Sequence, residues 1–291
     1  MDILDLDDDI KEVREKREEE HKSQKPSPKK KGSKGWSAAS KVVLAVSVLV
    51  FLFAAWQLVS IFVGYKQGSD EYKDLEQFVA KEEPEPKPIE ASGGIAADVG
   101  EEKPLTETIS RASFDELKAI NSDIVGWIEF ENIDINYPVV QTGDNDYYLT
   151  HTVKNTRNSV GSIFVEYTNN SDFQDDNTFI YGHNMKNGSM FGLLKKYKDP
   201  SYYQANQFFW IYTPQGDYMY QIFSCHEAEP ESETYTNGFG SKESYASYLQ
   251  TIKDLSLYDT GVAVTSDDKI VSLSTCTKDK EVRFVVHAKR L

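Results

Sequence analysis

The stretch VVLAVSVLVFLFAAWQLVSIFV, residues 42–63, runs for 22 residues without a charged side chain. As a single helix rising about 1.5 Å per residue, that length matches the ~30 Å hydrocarbon core of a bilayer. It exceeds the apolar core of a cleavable signal peptide, and no small-residue cleavage motif follows it. The sequence therefore predicts a transmembrane helix at 42–63 that divides the chain into two pieces on opposite sides. Lys29, Lys30, Lys31, Lys34 and Lys41 crowd its N-terminal flank. By the positive-inside preference, residues 1–41 are expected in the cytoplasm and the large C-terminal part outside a cell membrane crossed once.

The two pieces differ in charge. Residues 1–41 hold 10 acidic and 11 basic groups and read as a charged cytoplasmic tail. The remainder holds 37 acidic against 21 basic, a balance of −16, which argues against nucleic acid as a partner. Residues 82–104, EEPEPKPIEASGGIAADVGEEKP, are rich in Pro, Gly, Ala and Glu. Residues 64–112 are accordingly predicted to be an extracellular linker that holds the outer domain off the membrane.

From residue 113 to 291 the composition is that of one globular domain. Short apolar or alternating runs recur there: VGWIEF, INYPVV, GSIFVEY, NTFIYG, FFWIYT, DYMYQIFSC, KIVSLSTC and VRFVVHA. Strand-length runs between turn-rich loops predict a mainly β fold, a barrel or a sandwich. Three helices are expected beside them. SFDELKAI opens on a capping-box pattern, Ser113 with Glu116 three residues on. The stretches 189–197 and 241–256 each place their large apolar side chains on one helical face.

The chain has two cysteines, Cys225 and Cys276. They are too few for a disulfide framework, and a bridge between them would silence a nucleophile, so both are expected as thiols. None of the five histidines shows metal-ligand spacing with them, and no metal or other cofactor is expected. Cys276 ends KIVSLSTC on the more polar strand face, with Ser272 and Ser274, which suggests exposure in a groove. His183 follows the strand NTFIYG within YGHNM. Arg283 heads the next strand, so the short loop after Cys276 returns it to the same end of the sheet. That trio suits a thiolate nucleophile, an acid–base imidazole and a guanidinium able to receive an oxyanion. Taken singly, each has a plainer explanation: a packed thiol, a turn histidine and an edge ion pair.

The segment SLSTC with a downstream arginine, and YGHNM some ninety residues upstream, resembles the sortases, cell-surface cysteine transpeptidases of Gram-positive bacteria. The likeness spans residues 113–291 and extends to INSDIVGWIEF, YPVVQTGDNDYYL, GSIFVEY and the long helix before the last two strands. That helix, the single N-terminal anchor and the lack of a second span fit class B better than pilus-building class C. The resemblance implies an eight-stranded β-barrel carrying His183, Cys276 and Arg283 at one end. It also implies cleavage of a sorting signal of the form Asn-Pro-x-Thr followed by Asn, Gly or Ser. Cys276 would form the thioacyl enzyme, and His183 would protonate the leaving amine. Arg283 would hold the threonine segment and its oxyanion. Ser274, Asn145 and Tyr148 are the implied substrate contacts. The implied partners are an exported protein bearing the signal and an amine acceptor from a peptidoglycan precursor or a pilin. Two other classes compete: a peptidase releasing its product to water, and a peptide-binding barrel in which Cys276 is incidental.

Cys225, His226 and His287 read as ordinary strand residues, and His151 as a turn residue. The acidic stretch 227–233 reads as solvated carboxylates.

Overall fold

A computed structural model describes residues 37–80, 110–276 and 282–291. The chain divides into two compact units, Met1–Gln57 and Leu58–Leu291. The first holds the N-terminal part of helix α1, Ala38–Leu75, whose large apolar side chains from Val42 to Val63 are exposed. Among the described residues α1 is the one helix long and apolar enough to cross a membrane. The predicted tail, up to residue 36, and the stretch 82–104 lie outside the described residues.

The second unit is built on eight strands: β1 Ile124–Glu129, β2 Asn136–Val140, β3 Ile163–Val165, β4 Asn177–His183, β5 Phe208–Thr213, β6 Gly216–Ala228, β7 Ile270–Cys276 and β8 Arg283–Arg290. They close into a barrel in the order β1-β2-β3-β4-β7-β8-β6-β5. Each of the eight predicted runs forms one strand. Two neighbouring pairs are parallel, β2 with β3 and β4 with β7, and the rest are antiparallel. Period-two alternation sends Trp127, Phe209, Ile211, Val271, Leu273 and Val286 into one buried core. Phe130 and Phe209 stack there with ring centres 4.5 Å apart. Each such side chain contributes about 1.5–3 kcal/mol of burial energy, which makes the barrel a rigid frame for whatever its rim carries.

A second layer covers the outer side of β6 and β7. Helix α4, Lys242–Asp254, follows two shorter ones, α2 Phe114–Ile120 and α3 Pro200–Ala205. Its residues Tyr245, Tyr248, Leu249 and Ile252 fall at the i, i+3, i+4, i+7 spacing and pack on Phe223 and Ile270. Ser241 and Ser244 cap it reciprocally.

Two local expectations are corrected. Helix α2 forms, but Ser113 makes no side-chain cap, and its backbone N–H, which a capping box would give to Glu116, donates to the Phe78 carbonyl at 2.9 Å. The stretch 189–197 buries the apolar residues expected of it but starts as a return turn. Met190 has φ 54°, bridges back to Asn184, and donates its N–H to the Tyr137 hydroxyl. Only Leu194–Lys198 is helical, as a 3-10 turn.

Residues 64–80, expected as the start of a linker, pack on the barrel. Gly68, Tyr72 and Leu75 recur at i, i+4 and i+7 on α1 and are buried. Asn158 donates to the Gly64 carbonyl at 2.9 Å, and Val79 bridges to Ala112.

Candidate active site

Strands β4 and β7 pair in unbroken parallel register from Asn177↔Ile270 to His183↔Cys276, so they end side by side. Neighbouring strands lie about 4.8 Å apart, so the two positions are adjacent on the barrel rim. On the other side β7 pairs with β8 from Ile270↔Lys289 to Ser274↔Val285. Carried two residues further, that register sets Cys276 opposite Arg283, the first residue of β8. The Phe284 N–H, donating to Thr275 Oγ1 at 2.9 Å, ties the strands at this level. His183, some ninety residues upstream, is thereby set with Cys276 and Arg283 on three consecutive strands at one end.

His183 is the last residue of β4 rather than a loop residue, and it is half-buried. Gly182 before it has no alternative: a Cβ there would come within 2.7 Å of the Phe191 ring. The Nε2 of His183 donates to the Leu149 carbonyl at 2.7 Å, at the end of the 3-10 turn Tyr147–Leu149. A carbonyl can only accept, so Nε2 carries the hydrogen and Nδ1 is the nitrogen left for proton exchange. The imidazole edge rests on Gly161, which has φ +63° and where a Cβ would lie 2.9 Å from His183 Cδ2.

Polar Ser272 and Ser274 suggested an exposed strand face, but both are buried. The reason is that their partners are polar, from the adjoining strands β4 and β8 and from the turn that carries Tyr235. Ser272 Oγ donates to Asn177 Oδ1 at 2.8 Å and lies 2.7 Å from His287 Nδ1. Ser274 Oγ lies 2.9 Å from the Tyr235 hydroxyl, in the 3-10 turn Glu233–Tyr235. The guanidinium of Arg283 stacks over that same tyrosine, 5.5 Å from the ring centre. Nothing in the sequence singled out Tyr235, which sits next to an acidic loop.

Asn145 donates to Glu166 Oε2 at 2.8 Å and accepts from the Tyr167 N–H at 3.0 Å. Glu166 also accepts from the Tyr181 hydroxyl, and Tyr181 is the register partner of Ser274. Tyr148 is buried in the framework behind His183, donating to Asp123 Oδ2 and accepting from Asn121, each at 2.8 Å. Burial raises its phenol above the usual range.

Cys225 is buried, and burial pushes its thiol up to about 11, so it stays protonated at neutral pH. His226 and His287 stack at 5.2 Å beneath the second layer, and burial holds His226 down at about 4 and His287 well below its ordinary value. Among the described residues no cluster of His, Cys, Asp or Glu is arranged to hold a metal ion.

Comparison with known proteins matches this architecture. A sortase-domain family model covers residues 128–291. Sortase B of Listeria monocytogenes is 39% identical over 177 residues, 60% of this chain and 72% of that protein. Sortase B from Bacillus anthracis, in complex with AAEK1, superposes with TM-score 0.66 at 34% identity, over 79% of this chain and 99% of that one. A Staphylococcus aureus sortase B–substrate complex gives TM-score 0.60 at 32% identity, over 61% and 84%. A closed eight-stranded barrel with these matches defines a cysteine transpeptidase, and the chain belongs to the sortase family. Within that family it is a class B sortase.

Proposed function

We propose that this sortase is held in the cell membrane by residues 42–63, N-terminus inside, and cleaves an Asn-Pro-x-Thr-type sorting signal of an exported protein after the threonine. The observation that carries the reading is the register pair His183↔Cys276 at the end of the parallel β4–β7 ladder, with Arg283 heading the adjacent strand. The Cys276 thiolate attacks the threonine carbonyl. Arg283 faces the charge that develops on its oxygen, and a positioned donor of that kind is worth about 10²–10³ in rate. As the carbon–nitrogen bond breaks, His183 gives its proton to the departing amine. A peptidoglycan amine then attacks the thioester and loses its proton to His183, and the thiolate leaves. Asn145, half-buried, meets the substrate directly, while Ser274 and Tyr148 are buried and act from behind the surface it crosses. The substrate complex known for the Staphylococcus aureus sortase B supports a peptide partner here.

The test is incubation of the enzyme with a signal peptide, with and without a glycine-based amine, followed by intact-mass spectrometry. Expected are a thioacyl adduct on Cys276 and an amide product carrying the amine. Acid product alone at saturating amine identifies a peptidase instead, and no adduct at all leaves a binding barrel.

A further inference from the structure

We infer that Tyr72, on the barrel-side end of the apolar helix, is a positioning residue for His183. The inference rests on the acid–base role proposed for that histidine, and it makes the N-terminal helix part of the working enzyme rather than a tether alone. Tyr72 is buried, and its hydroxyl donates to the Gly161 carbonyl at 2.5 Å and lies 3.1 Å from Ser162 Oγ. Gly161 is the residue on which the His183 ring edge rests. The next residue, Ser162, donates its N–H to the Tyr148 carbonyl at 2.9 Å, one residue before the Leu149 carbonyl that accepts from His183 Nε2. One phenol therefore clamps the turn that meets the imidazole on its edge and is tied to the segment that holds its nitrogen.

The clamp is built to last. Burial raises the Tyr72 phenol, so it remains a donor throughout the pH range in which a histidine works. Its ring meets Tyr137 edge-on at 5.4 Å, and Gly68, one turn earlier, lets the helix approach Val160 closely. Gly161 has no Cβ to resist rotation, so its peptide plane is set by hydrogen bonds: Tyr72 on its carbonyl and the Ser162 N–H on the Tyr148 carbonyl. Without the Tyr72 bond the turn can tilt, and the imidazole, braced against it, tilts too.

The experiment uses the full chain in detergent micelles and the variant Tyr72→Phe, which keeps the ring and removes the donor. Expected are a kcat lowered about 3- to 30-fold, the scale of a small misplacement of a reacting group, with KM for the peptide unchanged. The 15N resonances of the His183 imidazole shift in the same variant. Leu117→Ala, a cavity in α2 away from this turn, is the control for plain destabilisation and leaves kcat and the His183 resonances in place. Native kcat in Tyr72→Phe, or His183 resonances that do not move, overturns the inference. The resonances are recorded well below the melting temperature, so a weakened fold does not block the reading. His183→Ala runs in parallel: if it keeps its activity, the acid–base reading fails, while the resonances still decide whether Tyr72 positions the ring.

Discussion

The guanidinium of Arg283 lies 5.5 Å above the ring of Tyr235, and the hydroxyl of that tyrosine meets Ser274 Oγ at 2.9 Å. Tyr235 thus links the first residue of β8 to a residue two before the end of β7, where a thiol nucleophile is proposed. A planar cation over an aromatic face is held in orientation and keeps its charge. Tyr235→Ala is expected to lower kcat/KM about 10-fold through a loosened Arg283, whereas Tyr235→Phe keeps the stack and loses less than about 3-fold. Arg283→Lys retains charge but neither fork nor stack, and is expected to lose about 10- to 10³-fold. Steady-state kinetics with a signal peptide rank the three, and a lysine variant as fast as the parent removes Arg283 from the chemistry.

The Cys225 thiol is shut away from reagents. Cys225 Sγ sits 3.4 Å from the Tyr197 carbonyl and 3.3 Å from the Tyr258 hydroxyl, is buried, and has its pKa pushed up to about 11. Iodoacetamide at pH 7 is therefore expected to label one site per chain, and peptide mapping to find it at Cys276. Cys276→Ala abolishes both labelling and turnover. Cys225→Ala keeps turnover and costs about 1 kcal/mol of stability, the order expected for removing a small buried group. Rapid labelling of Cys225 in the folded protein contradicts this assignment.

Strand identity was legible because each run is short, apolar or alternating, and bounded by turn-rich stretches. The pairing of β4 with β7 was not, because strands some ninety residues apart meet through core closure that no local pattern encodes. His183, Cys276 and Arg283 could be read as strand-end groups, since their neighbours mark where each strand stops or starts. Tyr235 could not, being one of 17 tyrosines and set beside an acidic loop. The serines of β7 mislead for a physical reason: they are polar yet buried, because Asn177, His287 and Tyr235 satisfy their hydroxyls. Residues 64–80 misled because the Pro- and Glu-rich stretch that follows suggested a spacer, and the i, i+4, i+7 face of Gly68, Tyr72 and Leu75 is short.

The stacked pair His226 and His287 makes stability fall in mild acid. Both are neutral when folded, with pKa values held below the ordinary 6.5 by burial, His226 at about 4. Between those limits the unfolded chain binds protons that the folded one refuses. Stability is therefore fully present above pH 6.5 and declines as pH drops toward 4, by up to about 1.4 kcal/mol per pH unit for each histidine. His226→Gln, which can still reach Thr234 Oγ1, is expected to flatten this decline. Melting temperatures of both proteins from pH 7.5 to 4.5 decide it, and parallel curves remove His226 as a cause.

Gly161 carries the sharpest steric demand beside the site. Its φ of +63° costs an L-residue about 1–2 kcal/mol, and a Cβ there would lie 2.6 Å from the Tyr148 carbonyl oxygen, 2.9 Å from His183 Cδ2 and 3.0 Å from the Leu149 carbonyl oxygen. Two of the three obstacles are backbone in a tied turn, so the imidazole is the neighbour that can yield. Gly161→Ala is thus expected to lose about 1–3 kcal/mol of stability and, at temperatures where it remains folded, about 10²-fold in kcat as His183 is pushed off the Leu149 carbonyl. Gly143 offers the contrast, with open space around its Cα; Gly143→Ala should leave both quantities near native. Urea titration alongside kinetics separates the effects, and an alanine at 161 that lowers stability yet spares kcat would show that His183 does not depend on the surface it rests against.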